Sequence, residues 1–470
     1  MATRIEKDVL GQKEVPSGAY YGIQTVRAME NFPISGLRLH PRMVEAMVGV
    51  KKVAALVNTD LGLMKPEIGR AIAAAADEVL AGQLRDQFAV DVYQMGAGTS
   101  CNMNVNEVLA NRAIELLGGQ KGEYTVVHPH DHVNMAQSTN DVFPTAMRIA
   151  ARLLFAELLP ILDDLKTALA QKATEFDGIL KSGRTHLQDA VPIRLGQEFA
   201  AYAATVGKCR ERIAGAVRSL EELGIGGSAA GTGLNTHPEY RSRLVEYLHT
   251  WTGIEWRTAS DMREAMQSNL PIAESSSALR LLALELIRIC NDLRLLASGP
   301  TTGFAEIVLP AVQPGSSIMP GKVNPSMAEM LNMVCFQVIG NDLAISMAVQ
   351  AGQLELNVMM PVMAHNLHQS IEILKNAVRV FTDRCVRGII ADVDRCRRYA
   401  EGSMALAAAL NISLGYARAA EVVRRAVRDR KSIIDVVREE SLLTEAQIAQ
   451  ILEPMNLTEP GLPGRPDQFR

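Results

Sequence analysis

The sequence predicts an all-α protein, because of its composition and because of the spacing of its apolar residues. Apolar residues make up 48% of the 470 residues and aromatic residues only 4%, which favours close-packed helices over β-sandwiches. Apolar residues also recur at steps of three and four over long stretches, and such steps place one apolar stripe along a helix. A domain usually has roughly 100–200 residues, so this length predicts two to four domains.

Five long stripes in the middle of the chain predict the helices of an elongated bundle. The longest, over residues 195–220, is long enough for about seven helical turns. The same stepping recurs over residues 279–296 and 367–385, and two further stripes cover 158–169 and 327–338. Stripes of this length exceed what one chain easily covers, which favours self-association over a monomer.

Domain boundaries follow from where these stripes begin and end. We expect an N-terminal α-rich domain over residues 1–139, the bundle over 140–392 and a small C-terminal helical domain over 393–470. Proline removes a backbone donor and crowds the preceding turn, so Pro160 predicts a kink or a break in its helix. Residues from Pro460 onward predict a frayed tail.

The charge balance excludes several classes of partner. Lys and Arg number 48 against 52 Asp and Glu, a formal charge of -4, so no basic field attracts nucleic acid or an anionic membrane. Charged residues at the N-terminus argue against a signal peptide, and Pro, Asn or charge interrupts each apolar run before the length of a membrane span. We therefore expect a cytoplasmic protein. The six cysteines show no CxxC spacing, so neither disulfides nor a metal site is expected.

Four segments of small polar residues interrupt the helical pattern, each beside a long helix. Residues 96–104 and 132–141 collect hydroxyls and amides at predicted helix N-termini, where free backbone N–H groups favour a bound anion. Plain helix capping by Ser, Thr and Asn is the alternative for both. Residues 182–190 place His186 beside Thr185, a pair suited to acid–base chemistry, although a lone histidine is more often structural.

The fourth segment, residues 315–325, is a Pro/Gly-rich loop in which Ser316 and Ser317 precede Lys322. A nearby ammonium lowers the pKa of a hydroxyl, so a serine here can act as a base or a nucleophile. Val323 stands where a phosphate-binding loop needs Ser or Thr, which excludes a nucleotide site. A mobile surface loop is the alternative.

This fourth segment reads GSSIMPGKVNP and resembles the signature of the aspartase/fumarase superfamily. The other three segments match that family in order, and the resemblance extends over nearly the whole chain. It implies a three-domain helical subunit, a homotetramer built on a large helix bundle, and active sites assembled from three subunits. It implies no organic cofactor, because a carboxylate of the substrate takes up the electrons.

Two segments are similar to those of superfamily members that release ammonia. Residues 96–100 read GAGTS and residues 351–358 read AGQLELNV, whereas class II fumarases usually carry GSGTQ and a Phe-Glu-Leu-Asn-Val version. The resemblance therefore implies reversible deamination of a small-molecule substrate, L-aspartate, to fumarate and ammonia. In that reaction a serine removes the Cβ proton, and an enediolate dianion forms before ammonia leaves.

The resemblance also implies roles for ten residues. Ser316 is the base, and Lys322 and His186 complete the catalytic set. Substrate binding is expected from Thr99, Ser138, Thr139 and Ser317 at the β-carboxylate, from Lys322 and Asn324 at the α-carboxylate, and from Thr185, His186 and Asn140 around the amino group.

Several positions depart from the family's usual pattern. Thr301 and Thr302 stand where Arg-Ala is common, Met360 stands where Glu is usual, and His130 replaces an Asn. They bear on rate, regulation, the amine accepted or a second dicarboxylate site.

Three alternatives stay open at this point. The chain could be a class II fumarate hydratase that uses water in place of ammonia, or a related lyase that adds another amine to fumarate. It could also be a catalytically silent scaffold. Intact Ser316, Lys322 and Asn324 argue against the scaffold.

Overall fold

The computed structural model describes residues 2–463 and consists mainly of helices, which confirms the predicted all-α class. Residues 464–470 of the predicted tail lie outside this range. The α-helices are α1 (Ile23–Asn31), α2 (Pro41–Asp60), α3 (Pro66–Leu80), α4 (Thr99–Leu116), α5 (Thr139–Glu175), α6 (Leu195–Ala216), α7 (Tyr240–Thr252), α8 (Met262–Gln267), α9 (Leu270–Leu296), α10 (Ser326–Gln350), α11 (Met360–Arg384), α12 (Val393–Gly402), α13 (Asn411–Leu414), α14 (Tyr416–Asp429), α15 (Ile433–Glu439) and α16 (Glu445–Ile451).

Short strands form two-stranded sheets within the same range. The longer pairs are antiparallel and join β1 (Thr3–Asp8) to β2 (Gly11–Pro16) and β3 (Leu180–Thr185) to β4 (Gln188–Arg194). Two-residue strands form the other pairs, β5 (Glu222–Leu223) with β6 (Arg257–Thr258) and β7 (Ile307–Val308) with β8 (Ile390–Ala391). Sheets this small are additions to a helical fold.

Each of the five predicted stripes lies wholly or mostly in a long helix, namely α5, α6, α9, α10 or α11. The stripe over 195–220 continues past the end of α6 into a 3₁₀ helix, Val217–Glu221, and the stripe over 367–385 ends one residue beyond α11. Of the kink or break predicted at Pro160, the break is wrong, because α5 continues through both Pro144 and Pro160; the kink stays a prediction. A proline inside a helix costs about 3 kcal/mol, whereas full burial of one leucine side chain gains about 1.5–3 kcal/mol. Leu158, Leu162 and Leu165 around Pro160 are fully buried, so packing outweighs the cost of the proline.

The chain divides into two compact units. The first unit is Met1–Pro160, Glu211–Ala283 and Cys335–Lys375, and the second is Ile161–Arg210, Leu284–Val334 and Asn376–Arg470. Each of the five long helices contains one of the division points. The three domains inferred from the sequence are a different division, and their boundaries stay a prediction.

In the first unit, helices α2, α3 and α4 pack against one another around fully buried side chains such as Val50, Ile72 and Val105. Helix α7 packs on α2 at Gly49, where a Cβ atom would lie 1.9 Å from the ring of Trp251. Only glycine leaves room for this ring, which is why a glycine is tolerated in the middle of α2.

In the second unit, three aromatic rings pack edge to face at the junction of α5 and α6. The ring centroids of Phe176 and Phe199 are 5.2 Å apart, and those of Phe199 and Tyr202 are 5.6 Å apart. A separate buried apolar cluster lies within residues 406–452. These contacts make Phe199 the central side chain of its aromatic group.

Helix α10 is the one helix in residues 2–463 that is long and apolar enough, by length and composition alone, to cross a membrane. Its polar residues Asn332, Asn341 and Asp342 are buried. Its exposed large apolar side chains are Met333, Phe336, Leu343 and Met347. Because Leu331, Cys335, Val338 and Ile345 of the same helix are buried, these four exposed side chains form a second apolar face, which is uncovered in a single chain.

Phe199→Ala is expected to lower the midpoint of thermal unfolding by several degrees, because removal of a buried phenylalanine side chain costs about 3–5 kcal/mol. Far-ultraviolet circular dichroism during heating measures the midpoint. Lys208→Ala, an exposed position on the same helix, is the control and should leave it unchanged. Equal midpoints for Phe199→Ala and the unaltered protein would contradict this account of the core.

Candidate active site

The first polar segment forms the N-terminus of α4, as its composition predicted. Two successive residues have left-handed backbone, Ala97 at φ 63° and Gly98 at φ 86°. A Cβ atom at Gly98 would lie 2.2 Å from the ring of Phe143, and the backbone N–H of Ala97 donates to the carbonyl of Val358 over 2.7 Å. These contacts fix the start of the helix, where Thr99 is the first residue. Because Gly98 is the N-cap and no side chain caps this helix, the capping alternative does not apply here.

The second segment leads into α5 and does include capping. Oγ of Ser138 accepts a hydrogen bond from the backbone N–H of Asn140 over 3.2 Å, and the backbone N–H of Ser138 donates to Oδ1 of Asp141 over 2.9 Å. Oγ1 of Thr139 accepts from Nδ2 of Asn102 over 3.0 Å. Both hydroxyls thus use an acceptor position internally, and each keeps its own hydrogen for another partner.

Asp141 holds a neighbouring loop against this segment. Its Oδ2 accepts backbone N–H groups of Gly226 and Ser228 over 3.0 Å and 2.9 Å. The side chain of Asn140 donates to the carbonyl of Ala229 over 2.9 Å. Asp141 is fully buried, and burial raises its pKa to about 7 against the opposing effect of these N–H donors.

The third segment is the hairpin of β3 and β4. Thr185 pairs with Gln188, and the two residues between them, His186 and Leu187, both have φ 57°. Two consecutive left-handed residues are typical of a two-residue hairpin turn. Thr185 and His186 are exposed at this turn.

Buried charges anchor the base of the same hairpin. The guanidinium of Arg184 donates to both carboxylate oxygens of Glu306 over 2.9 Å and 3.0 Å, and Glu306 is fully buried. The ammonium of buried Lys181 lies 3.5 Å from the same carboxylate. A bidentate pair of this kind adds directional as well as electrostatic stabilisation, so the residue before Thr185 is firmly held.

The fourth segment is a loop with its own hydrogen bonds. Oγ of Ser316 accepts the backbone N–H groups of Ile318 and Met319 over 3.2 Å and 3.0 Å. The loop is closed by the N–H of Gly315, which donates to the carbonyl of Lys322 over 2.8 Å, and by Nδ2 of Asn324, which donates to the carbonyl of Gly315 over 2.7 Å. Ser317 and Lys322 are exposed.

The ten predicted residues divide between the two units. Thr99, Ser138, Thr139 and Asn140 belong to the first, and Thr185, His186, Ser316, Ser317, Lys322 and Asn324 belong to the second. In the first unit, Asn102 lies one turn after Thr99 on α4 and contacts Thr139, so it joins two of the polar segments.

Sequence reasoning missed Lys51 and gave no role to Asn102 and Asn134, although both lie in segments that it singled out. Lys51 donates to Asn134 over 2.8 Å, and Asn134 also accepts from Asn102 over 3.2 Å. A signal was available for Lys51, because it lies four residues after Met47 on the apolar stripe of α2. A lysine on such a stripe is buried and needs a partner.

The positions that depart from the family pattern have different environments. Met360 is the first residue of α11 and is buried, whereas Thr301 and Thr302 are exposed. Nε2 of His130 lies 2.8 Å from Nε2 of Gln24, and burial lowers the pKa of His130. His130 borders a cavity of about 760 Å³ in the first unit that Thr99 also lines.

Known protein families match the part of the chain that contains the four polar segments. A family model described as Lyase matches residues 11–340, and one described as Fumarase C C-terminus matches residues 406–459. An aspartate ammonia-lyase of Bacillus sp is 51% identical over 98% of this chain and 99% of its own length. A class II fumarate hydratase of Halobacterium salinarum is 50% identical over 98% of both proteins.

A solved structure has the same fold. The crystal structure of a fumarate lyase:delta crystallin from Brucella melitensis is 45% identical, covers 98% of this chain and 100% of its own, and has a TM-score of 0.94. The Lyase model alone matches more than half of the chain. The chain is therefore an enzyme that belongs to the lyase family of the aspartase/fumarase superfamily.

Proposed function

We propose that this chain is an aspartate ammonia-lyase, a carbon–nitrogen lyase that converts L-aspartate reversibly into fumarate and ammonia. The observation that carries the proposal is the pair of backbone N–H groups, from Ile318 and Met319, that donate to Oγ of Ser316. Such donors stabilise an ionised oxygen more than a neutral one, and so favour the form that can act as a base. The 51% identity to the aspartate ammonia-lyase of Bacillus sp supports the choice of substrate.

The proposed reaction begins when the ionised Oγ of Ser316 takes a Cβ proton from L-aspartate. The C–H electron pair moves into the β-carboxylate, which becomes an enediolate dianion. The dianion then forms the Cα–Cβ double bond as the Cα–N bond breaks, and the amino group, bound as ammonium, leaves as ammonia. Ser316 returns its proton to solvent before the next cycle.

The dianion is the costly species, because a second negative charge develops on one carboxylate. We assign Thr99, Ser138 and Thr139 to donate hydrogen bonds to it, together with Ser317. Loss of one preorganised donor to a developing oxyanion typically costs about 10²–10³ in kcat, or ~3–4 kcal/mol. The free N-terminus of α4 adds a positive dipole end near Thr99.

The remaining assignments concern the α-carbon. Lys322 and Asn324 bind the α-carboxylate, and the ammonium of Lys322 also favours the ionised form of Ser316. Thr185, His186 and Asn140 bind around the amino group. These residues orient the Cα–N bond for departure of ammonia.

A class II fumarate hydratase is the second candidate. The Halobacterium salinarum relative, at 50% identity, favours it almost as much as the Bacillus sp relative favours an ammonia-lyase. The same base and carboxylate donors would serve, with water in place of ammonia. Thr301 and Thr302 depart from the family pattern and are exposed. For this reason a lyase that adds another amine to fumarate is a further variant.

We also propose a cytoplasmic homotetramer whose active sites are shared between subunits. The support is helix α10, whose exposed apolar side chains repeat at the spacing of a helix-bundle seam. They are Met333 at 63% exposed, Phe336 at 56%, Leu343 at 65% and Met347 at 57%. Further copies of this chain cover this face of α10 in the proposed tetramer.

Purified protein is expected to produce fumarate from L-aspartate and not from L-malate. The ultraviolet absorbance of fumarate measures its formation with each substrate. Signal from malate alone would replace the proposal with the hydratase. Silence with both substrates, followed by consumption of fumarate with another amine, would point to the amine-specific lyase.

Ser316→Ala should lower kcat by about 10³-fold or more, because it removes the proposed base for the Cβ proton. Ser317→Ala is the matched comparison, since it removes the adjacent hydroxyl but not the base, and should cost about 10²-fold, the lower end of the range for one donor. Circular dichroism should be unchanged for both, as neither side chain is buried. Near-normal turnover of Ser316→Ala would rule out its role as the base.

Mixed tetramers test the sharing of active sites. Thr139→Val and Ser316→Ala are each expected to be nearly inactive alone, but co-expressed chains should regain activity, because roughly a quarter of shared sites then receive both native residues. The measurement is specific activity of the co-expressed sample against each variant. Failure to regain activity in a sample shown to contain mixed tetramers would mean that one chain supplies both residues.

A further inference from the structure

We propose that Asn102 is a positioning residue that turns the hydroxyl hydrogen of Thr139 toward the substrate. Lys51 fixes the orientation of Asn102 through Asn134. The inference rests on the proposed function, because Thr139 is there the donor to the β-carboxylate. All four side chains lie in the first unit.

The direction of this hydrogen-bond chain is set at its buried end by Lys51. The side chain is fully buried, and its Nζ donates to Oδ1 of Asn134 over 2.8 Å. An ammonium group donates and never accepts. The ammonium form of Lys51 therefore faces the oxygen of Asn134. Burial lowers the pKa of Lys51 to about 7, and the neutral amine can also accept, so the orientation rests equally on the opposite end of the Asn134 amide.

The other end of the Asn134 amide requires the same orientation. Its Nδ2 donates to the backbone carbonyl of Gln137 over 3.0 Å, and a carbonyl can only accept. A flipped amide would place oxygen against the carbonyl and nitrogen against Lys51. Both contacts would be lost, so Asn134 is held in one orientation.

Asn102 passes this orientation on to Thr139. Its Nδ2 lies 3.2 Å from Oδ1 of Asn134 and 3.0 Å from Oγ1 of Thr139. Because Asn134 presents oxygen, Asn102 has to present its amide nitrogen. An amide nitrogen has two hydrogens, and the second one is donated to Thr139.

The consequence for Thr139 follows from the chemistry of a hydroxyl, which has one hydrogen and two lone pairs. Thr139 is only 9% exposed, and Asn102 occupies one of its lone pairs. The hydroxyl hydrogen is then available for a carboxylate oxygen. An acceptor at position 102 would take that hydrogen and turn a lone pair toward the carboxylate.

Asn106 provides a matched control one turn further along α4. It is fully buried, as Asn102 nearly is, and its Nδ2 also donates to Oδ1 of Asn134 over 3.2 Å. Its Nδ2 lies 3.4 Å from the sulfur of Met103 rather than near Thr139. A general effect on Asn134 or on packing should therefore appear at both positions.

The experiment compares Asn102→Asp with Asn106→Asp, in the full-length enzyme with L-aspartate as substrate. Asn102→Asp should lower kcat by about 100-fold with KM within about threefold of the native value, because Thr139 then donates to the new carboxylate. Asn106→Asp should lower kcat by less than about fivefold. In a Thr139→Val background, Asn102→Asp should have no further effect on kcat.

Each other outcome decides against the proposal. Equal losses at positions 102 and 106, or additive losses in the Thr139→Val background, would make Asn102 a structural residue. If Asn102→Asp does not fold, Asn102→Ala repeats the test with an expected loss of about 10-fold, and failure of both to fold would also overturn it. A native enzyme that releases no fumarate from L-aspartate is a failure of the proposed function, detected before any variant is compared.

Discussion

N–H groups that occupy the lone pairs of hydroxyl oxygens are the interactions on which the candidate site depends. Ser138 accepts from the backbone of Asn140, Thr139 from Asn102, and Ser316 from two backbone N–H groups. A hydroxyl group in water donates and accepts hydrogen bonds in no fixed direction. With an internal donor in place, it either presents its hydrogen or holds a negative charge. The first property suits a donor to a carboxylate, and the second suits a base.

Two of the polar segments also have unusual backbone. Left-handed residues occur in succession at Ala97 and Gly98 and again at His186 and Leu187. Non-glycine residues in this region store about 1–3 kcal/mol each and persist only where the surroundings hold them. The Phe143 ring holds the first pair, and the Arg184 ion pair holds the base of the hairpin that bears the second. Left-handed backbone at these two places therefore lies directly beside Thr99 and Thr185, which are assigned to the substrate.

The sequence predicts the helices better than the site, for a physical reason. Apolar steps mark which helix face is buried, so the five long helices were predictable; packing then carried α5 through Pro160, which a local rule takes as a break. Hydroxyl-rich segments identified the candidate residues. Their supports were not predictable, because a hydrogen bond between Asn102 and Thr139 joins residues far apart in sequence. Lys51 was the exception, since it interrupts an apolar stripe.

With the roles proposed above, the two kinds of support predict a division of labour between Ser316 as the base and Thr139 as an oxyanion donor. The donors to Ser316 lie two and three residues away in its own loop, so the base keeps them whatever the loop's position. The donors to Thr139 start at a buried lysine in α2 and pass through α4. The Cβ–H group of the substrate is weakly acidic. The enediolate dianion that forms when its proton is removed therefore has to be stabilised by groups that do not reorganise during the reaction. Rigid helices meet that requirement, whereas a base needs only a short contact with one proton, and a loop suffices.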